Sequence, residues 1–241
     1  MKALIAGLAL LMLGGCATNG QSPWAAFGTP GSCSKPSSDQ DLALNMADDM
    51  ANEGKLYVSL ANLQNLPSAL PQVRQRQARA YRLLGRPDAE PLYRSLLGTC
   101  LAADGEHGLG QLASAKGDNG QAMAHLQRAA RLAPTDEKIR NDLGVVYLDQ
   151  RRLDDARFEF MTAIELKQSD QLAAVNLVTL LIYQDNWEQA AKVVGQLGLS
   201  PDQVTRAQAR AQHLKEAGTA PQRPVKDQVA AVSDTLPASV K

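Results

Sequence analysis

The sequence predicts an all-α fold, a superhelical solenoid of antiparallel helix pairs, from three observations. Residues 137–170 carry large and small apolar residues at the spacing of two helices joined by a tight turn. The same pattern returns when the frame is shifted by one such unit upstream and again downstream. Aromatic residues make up only 4% of the 241-residue chain, which suits helices packed through small side chains rather than a core built on rings.

The first residues are not part of that fold. Lys2 supplies a positive start, residues 3–12 an apolar run too short to span a bilayer as a helix, and Leu13-Gly14-Gly15-Cys16 closes it. This reads as a signal peptide over 1–15. Leu-Gly-Gly-Cys resembles the bacterial lipobox, and that resemblance implies cleavage before Cys16 and a covalent N-terminal lipid on its sulfur and amine. Several acyl chains hold a protein on a membrane where one would be marginal. Ala17 is not the aspartate associated with inner-membrane retention, so the resemblance implies the outer membrane, with the protein facing the periplasm. No other cofactor is expected.

Residues 16–40 read as a lipidated flexible tether, rich in Gly, Ser, Pro and Thr and without helical period, with a reach of about 25 Å. Trp24 and Phe27 are out of place in a tether; they suit local packing on the first helices or lipid headgroups. With Cys16 taken by lipid, Cys33 and Cys100 remain. Export to an oxidising compartment favours a disulfide between them, and a buried Cys100 beside a free Cys33 is the alternative.

Residues 41–103 carry the repeat in degenerate form. Leu42, Leu44, Ala47 and Met50 make one helical stripe, 52–54 a turn, and 56–66 a second helix ended by Pro67. Tyr81, Gly85, Ala89, Tyr93 and Leu96 then fit the pattern if the turn is one residue short, with Pro87 near the start of the next helix. Terminal units diverge because one face meets solvent. A run of arginines, Arg74, Arg76, Arg79, Arg82 and Arg86, offers a face for an acidic partner or anionic lipid, or simply a solvated surface.

An array follows over 104–200, made of three units at 103–136, 137–170 and 171–200. In the central one Leu143, Gly144 and Tyr147 fall on the first helix, the polar stretch 149–152 breaks it, and Ala156, Phe160 and Ala163 fall on the second. Gly144 and Ala156 let the backbones approach while the large residues fill either side. Upstream, Leu109, Gly110, Ala122, Leu126, Ala129 and Pro134 take the corresponding places around the turn 117–120. Downstream, Leu177, Leu181, Ala190, Val194 and Leu197 do so around 184–186. Large, small, large, then small, large, small over this period resembles the tetratricopeptide repeat. Beyond the array, Ser200 and Gln203 form a capping box, and Val204, Ala207, Ala211 and Leu214 mark a capping helix over 201–218 that covers the last open edge. Residues 219–241, with three prolines among small and polar residues, read as a disordered tail.

Chemistry is sparse. His107, His125 and His213 lack metal-ligand spacing, so no metal is expected, and no nucleophile elbow, phosphate loop or zinc-protease motif occurs. Gly108-Leu109-Gly110-Gln111-Leu112 resembles a fragment of lytic transglycosylases, which implies a peptidoglycan lytic enzyme. The family's glutamate-serine pair is missing, however: Glu90 is followed by Pro91, and repeat packing already accounts for the fragment. Lys and Arg together number 25 and Asp and Glu 25, a balance that excludes a general nucleic-acid binder. A non-enzymatic interaction protein is the better reading.

The resemblance to tetratricopeptide repeats implies a concave groove lined by the first helix of each unit. Carried over, its positions are Asp104, His107, Gln111, Ser114 and Ala115; Lys138, Asn141, Val145, Leu148 and Asp149; and Leu172, Val175, Thr179, Ile182 and Tyr183, with Asn176 beside them. The last group is largely apolar, which suggests an amphipathic helix or extended apolar segment as ligand. The alternative is that Val175 and Ile182 pack on the closing helix. Lipobox, tether and short array together resemble pilus-assembly lipoproteins, most closely the TadD type of the tight-adherence (Flp) system. That implies a pilotin-like role in assembling or localising an outer-membrane secretin or another pilus component. A type IV pilus pilotin, or a lipoprotein of outer-membrane or cell-wall assembly, is the alternative.

Overall fold

A computed structural model describes residues 33–169 and 171–219. The expected signal peptide, lipidated Cys16, most of the tether and the tail beyond 219 lie outside the described residues. Within them are eleven helices and no strand. Five antiparallel pairs follow one another: α1 (Ser38–Asn52) with α2 (Leu56–Gln64), α3 (Pro71–Leu83) with α4 (Ala89–Arg94), α5 (Ala102–Ala115) with α6 (Asn119–Leu132), α7 (Glu137–Asp149) with α8 (Leu153–Leu166), and α9 (Gln171–Tyr183) with α10 (Trp187–Leu197); α11 (Pro201–Thr219) closes the chain. None of these helices is long and apolar enough to cross a membrane.

Helix α1 begins three residues inside the stretch expected to be tether. Ser37 and Gln40 exchange side-chain and backbone hydrogen bonds in a capping box, which satisfies two otherwise orphaned donors and sets the start. The degenerate second pair departs more. Helix α4 is a short six residues, and Gly85 stands in the turn with φ +66° rather than on a packed helix face. Ahead of α1, Cys33 is disulfide-bonded to Cys100 just before α5, with Cα atoms 5.4 Å apart.

The full pairs share one packing device. A Cβ on Gly144 would lie 2.6 Å from Cε1 of Phe160, and one on Gly110 2.7 Å from Cγ of Leu126. The missing side chain therefore admits a large side chain of the partner helix rather than backbone. The core runs without a break from Ala113 to Leu214, with smaller clusters around Tyr93 and Val73.

A second equivalent site varies between repeats. Glu106 on α5 bonds His125 (2.6 Å) and Arg128 (2.8 Å) on α6, while one repeat on the polarity is reversed and Arg140 on α7 meets Glu159 on α8 at 3.1 Å. In the third full repeat Ala174 and Val193 take those places. Burial pushes both carboxyls up. At Glu106 the hydrogen bonds and charges of Arg128 and His125 outweigh it, and at Glu159 burial prevails over Arg140.

Candidate partner-binding groove

The first helices α3, α5, α7 and α9 line the inner surface of the array, and the turn residues decide how that surface ends. Gly117, Arg151 and Asp185 stand at equivalent turn positions, all with positive φ (76°, 63° and 57°). A left-handed conformation is free for glycine and costs other residues about 1 kcal/mol. Arg151 and Asp185 offset that cost through α11. Arg151 donates to the carbonyl of Leu214 (2.5 Å) and stacks on the Tyr183 ring, and Asp185 accepts from Lys215 at 2.6 Å. Gly198, at φ +63°, ends α10 and turns the chain back so that α11 lies against α9.

This resolves the apolar stripe of the third repeat. Asn176, Thr179 and Ile182 are buried, and Ile182 shares one core cluster with Ala207, Ala211 and Leu214 of α11. Val175 and Tyr183 are half-buried against the same cluster. Thr179 turns its hydroxyl back to the carbonyl of Val175. The expected external ligand surface at Val175, Asn176, Thr179, Ile182 and Tyr183 is thus occupied by the chain's own last helix. Leu148 is also corrected: it is wholly buried in the core, not on the groove.

What stays open lies further toward the N-terminus. A cleft of about 590 Å³ runs between α3, α5 and the start of α7, joined through Gln111 to side cavities of about 230 and 270 Å³. Of the groove residues read from sequence, Asp104, His107, Gln111 and Lys138 line the main cleft, Asn141 and Leu172 one side cavity, and Ser114, Ala115 and Val145 the other.

The floor is a polar ladder. Asp142 accepts from Gln111 (2.7 Å), pairs with His107 (2.8 Å) and accepts from Asn141 (3.1 Å); Asn176 donates to Asn141 (2.7 Å), and Arg210 of α11 reaches Asn176 and Asp149. Burial alone would raise the Asp142 carboxyl, but the bonds from His107, Gln111 and Asn141 together hold it below the usual range. Asp142 was not among the residues singled out from sequence. Its signal was there, one place past the repeat period from His107, as Asn176 is from Asn141.

The arginine run divides. Arg76, Arg79 and Arg82 line the cleft, while Arg74 donates to the carbonyl of Ser95 and Arg86 pairs with Asp88 in the turn after α3. Arg76 and Arg79 share Asp48, at 2.7 and 3.7 Å. Among the described residues Arg82 hydrogen-bonds only the hydroxyl of Tyr93, at 3.4 Å, and burial keeps that phenol's pKa raised, so it stays neutral. Lys138 is in no ion pair among the described residues; the neighbouring Asp136 carboxylate is engaged by the α7 amides. Asp104, a further acid of the cleft, is pushed up by burial. Arg82 and Lys138, neither in an ion pair among the described residues, therefore flank a hydrogen-bonding floor, and no group of three potential metal ligands stands together among the described residues.

The family model for the tetratricopeptide repeat matches residues 113–174. Over 229 residues the chain is 41% identical to the TPR repeat-containing protein PA4299 of Pseudomonas aeruginosa, covering 94% of this chain and 91% of that one. Among solved structures it is similar to TTC0263, a thermophilic TPR protein of Thermus thermophilus, with TM-score 0.54 and 19% identity over 70% of this chain and 97% of that one. It is similar also to MamA, residue 41 to end, from Desulfovibrio magneticus, with TM-score 0.51 and 16% identity over 71% and 98%. At these identities the structural likeness is one of fold alone.

Proposed function

The chain belongs to the tetratricopeptide repeat family, and from that premise we propose that it is a lipid-anchored, pilotin-like scaffold that holds a tight-adherence (Flp) pilus component, an outer-membrane secretin foremost. The coarser part follows from the family: it is a non-catalytic protein–protein interaction scaffold. The observation that carries the site is the pair of cations, Arg82 and Lys138, that flank the polar cleft without an ion-pair partner among the described residues. Such a surface suits a segment that brings carboxylates and backbone hydrogen bonds, not the amphipathic helix that the third repeat suggested.

Reversing both charges with Arg82→Glu and Lys138→Glu should lower co-purification of the secretin at least tenfold, since a hydrogen bond to a charged group is worth about 1.5–3 kcal/mol. The helical content and melting temperature should stay near wild type, as Lys138 is exposed and Arg82 only half-buried. Undiminished capture with a normal melt would move the binding surface elsewhere on the array. A type IV pilus secretin captured in place of the tight-adherence one would change the system but not the site.

The membrane part rests on residues 1–16, above all on Cys16. Cys16→Ser should abolish acyl labelling and release the protein into the soluble periplasm. Persistent acylation of that variant would end the lipoprotein reading and leave the scaffold reading intact.

A further inference from the structure

A solenoid has two open edges, and each must be covered or made polar. Here α11 covers one. The other is the outer face of the α1–α2 pair, and its composition is unexpected for a solvated end.

Hydrogen bonds fix the register of that pair. Ser59 donates to the carbonyl of Ala47 at 2.7 Å and Asn62 to that of Ala43 at 3.0 Å. In two antiparallel helices so aligned, the residues one place after the contacts fall on one side of the pair and those one place before on the other. The first set includes Leu44, Leu60 and Leu63, all buried, and Leu44 and Leu63 share a cluster with Val73 of α3. The second set is Leu42, Met46 and Val58, which are 62%, 46% and 50% exposed, with exposed Ala61 between them. The outer side is therefore an apolar strip, rimmed by the carboxylates of Asp39 and Asp49.

We propose that Trp24 and Phe27 dock on this strip and close the N-terminal edge as α11 closes the other. The described chain begins at Cys33, held to Cys100 by the disulfide, with the carbonyl of Ser34 accepting from Gln72 at 3.3 Å. The segment thus enters at a fixed point a few residues before α1. Phe27 and Trp24 stand six and nine residues before Cys33, reaching at most about 20 and 30 Å when extended. Leu42 lies about one turn into α1, within that span. Between residues 17 and 32 these two are the only large apolar side chains, and the stretch holds no charge. A neutral aromatic segment suits an apolar strip with an acidic rim, whereas an anionic bilayer surface would be repelled by that rim.

One consequence rests on the lipidation of Cys16 proposed above. Docking would leave only residues 17–23 as free tether, a reach of about 15 Å, and hold the array close to the membrane. The docking itself does not depend on the anchor.

The full chain with Trp187→Phe has Trp24 as its sole tryptophan. Its emission should be blue-shifted and its quenching by acrylamide at least threefold weaker than for free N-acetyltryptophanamide. Adding Leu42→Glu and Val58→Glu should move both signals to the exposed limit. An exposed Trp24 in the parent overturns the proposal, as does a shielded Trp24 indifferent to the two charges. Shielding that arises only with vesicles of phosphatidylethanolamine and phosphatidylglycerol also overturns it, in favour of a lipid contact. Trp24→Ser with Phe27→Ser leaves the helices untouched and guards against unfolding of the charged variant. It should speed amide exchange in α1 and α2 tenfold or more, and unchanged exchange overturns the proposal.

Discussion

Ile182→Glu should strip α11 from the array. The side chain is 5% exposed and lies in the cluster that includes Ala207, Ala211 and Leu214. Replacing it forfeits about 2–3 kcal/mol of apolar burial and adds the desolvation of an unpaired carboxylate, several kcal/mol more if the site stays closed. The charge can be rehydrated if α11 lifts away, giving up the Arg151 and Lys215 contacts and the burial of its own apolar face. That escape is the expected outcome, because each unit of a solenoid is held only by its neighbours and an end can open by itself. Circular dichroism should lose a signal equivalent to much of the 19-residue α11, its amides should exchange freely, and melting should begin well below the wild-type transition. An unchanged melt with protected α11 amides would mean that Ile182 faces open space after all.

That variant also marks where the inner surface changes character. Toward the C-terminus it is occupied by the chain itself, and toward the N-terminus it is open, polar and flanked by Arg82 and Lys138. The ladder of Asp142, Asn141 and Asn176 ends at Arg210, so the open cleft and the closing helix share one row of hydrogen bonds.

The helix pairs and their turns were legible because three units repeat one pattern, and the register places Gly144, Phe160, Gly110 and Leu126 without further information. The occupant of the third groove was not. An apolar stripe at first-helix positions has the same spacing whether it faces a partner or the chain's own end. The direction of α11 depends on the left-handed turn at Gly198 and on side chains of Arg151 and Asp185 held at positive φ, none of which periodicity encodes. The cleft was half legible. His107 and Gln111 follow from the repeat, but Arg82 lies in a degenerate unit whose second helix, α4, is cut to six residues, and Asp142 is one position out of register.

The repeats carry a test of their own packing. Gly144 and Phe160 correspond to Gly110 and Leu126 in the unit before and to Val178 and Val194 in the unit after, so the small member grows as the large one shrinks. Gly144→Val alone should clash with the fully buried ring of Phe160, since even a Cβ would lie 2.6 Å from it. The loss should be about 3 kcal/mol, the upper end of ordinary overpacking. Phe160→Val alone leaves a void and should cost about 2–3 kcal/mol. Each loss corresponds to a fall in melting temperature of about 10 °C for a chain of this size. Together the two substitutions import the pair of the third repeat, and the double variant should recover at least about 2 kcal/mol relative to the sum of the singles. Additive losses in the calorimetric double-mutant cycle would show that the two residues do not share a space, and the packing device inferred from the repeats would fall.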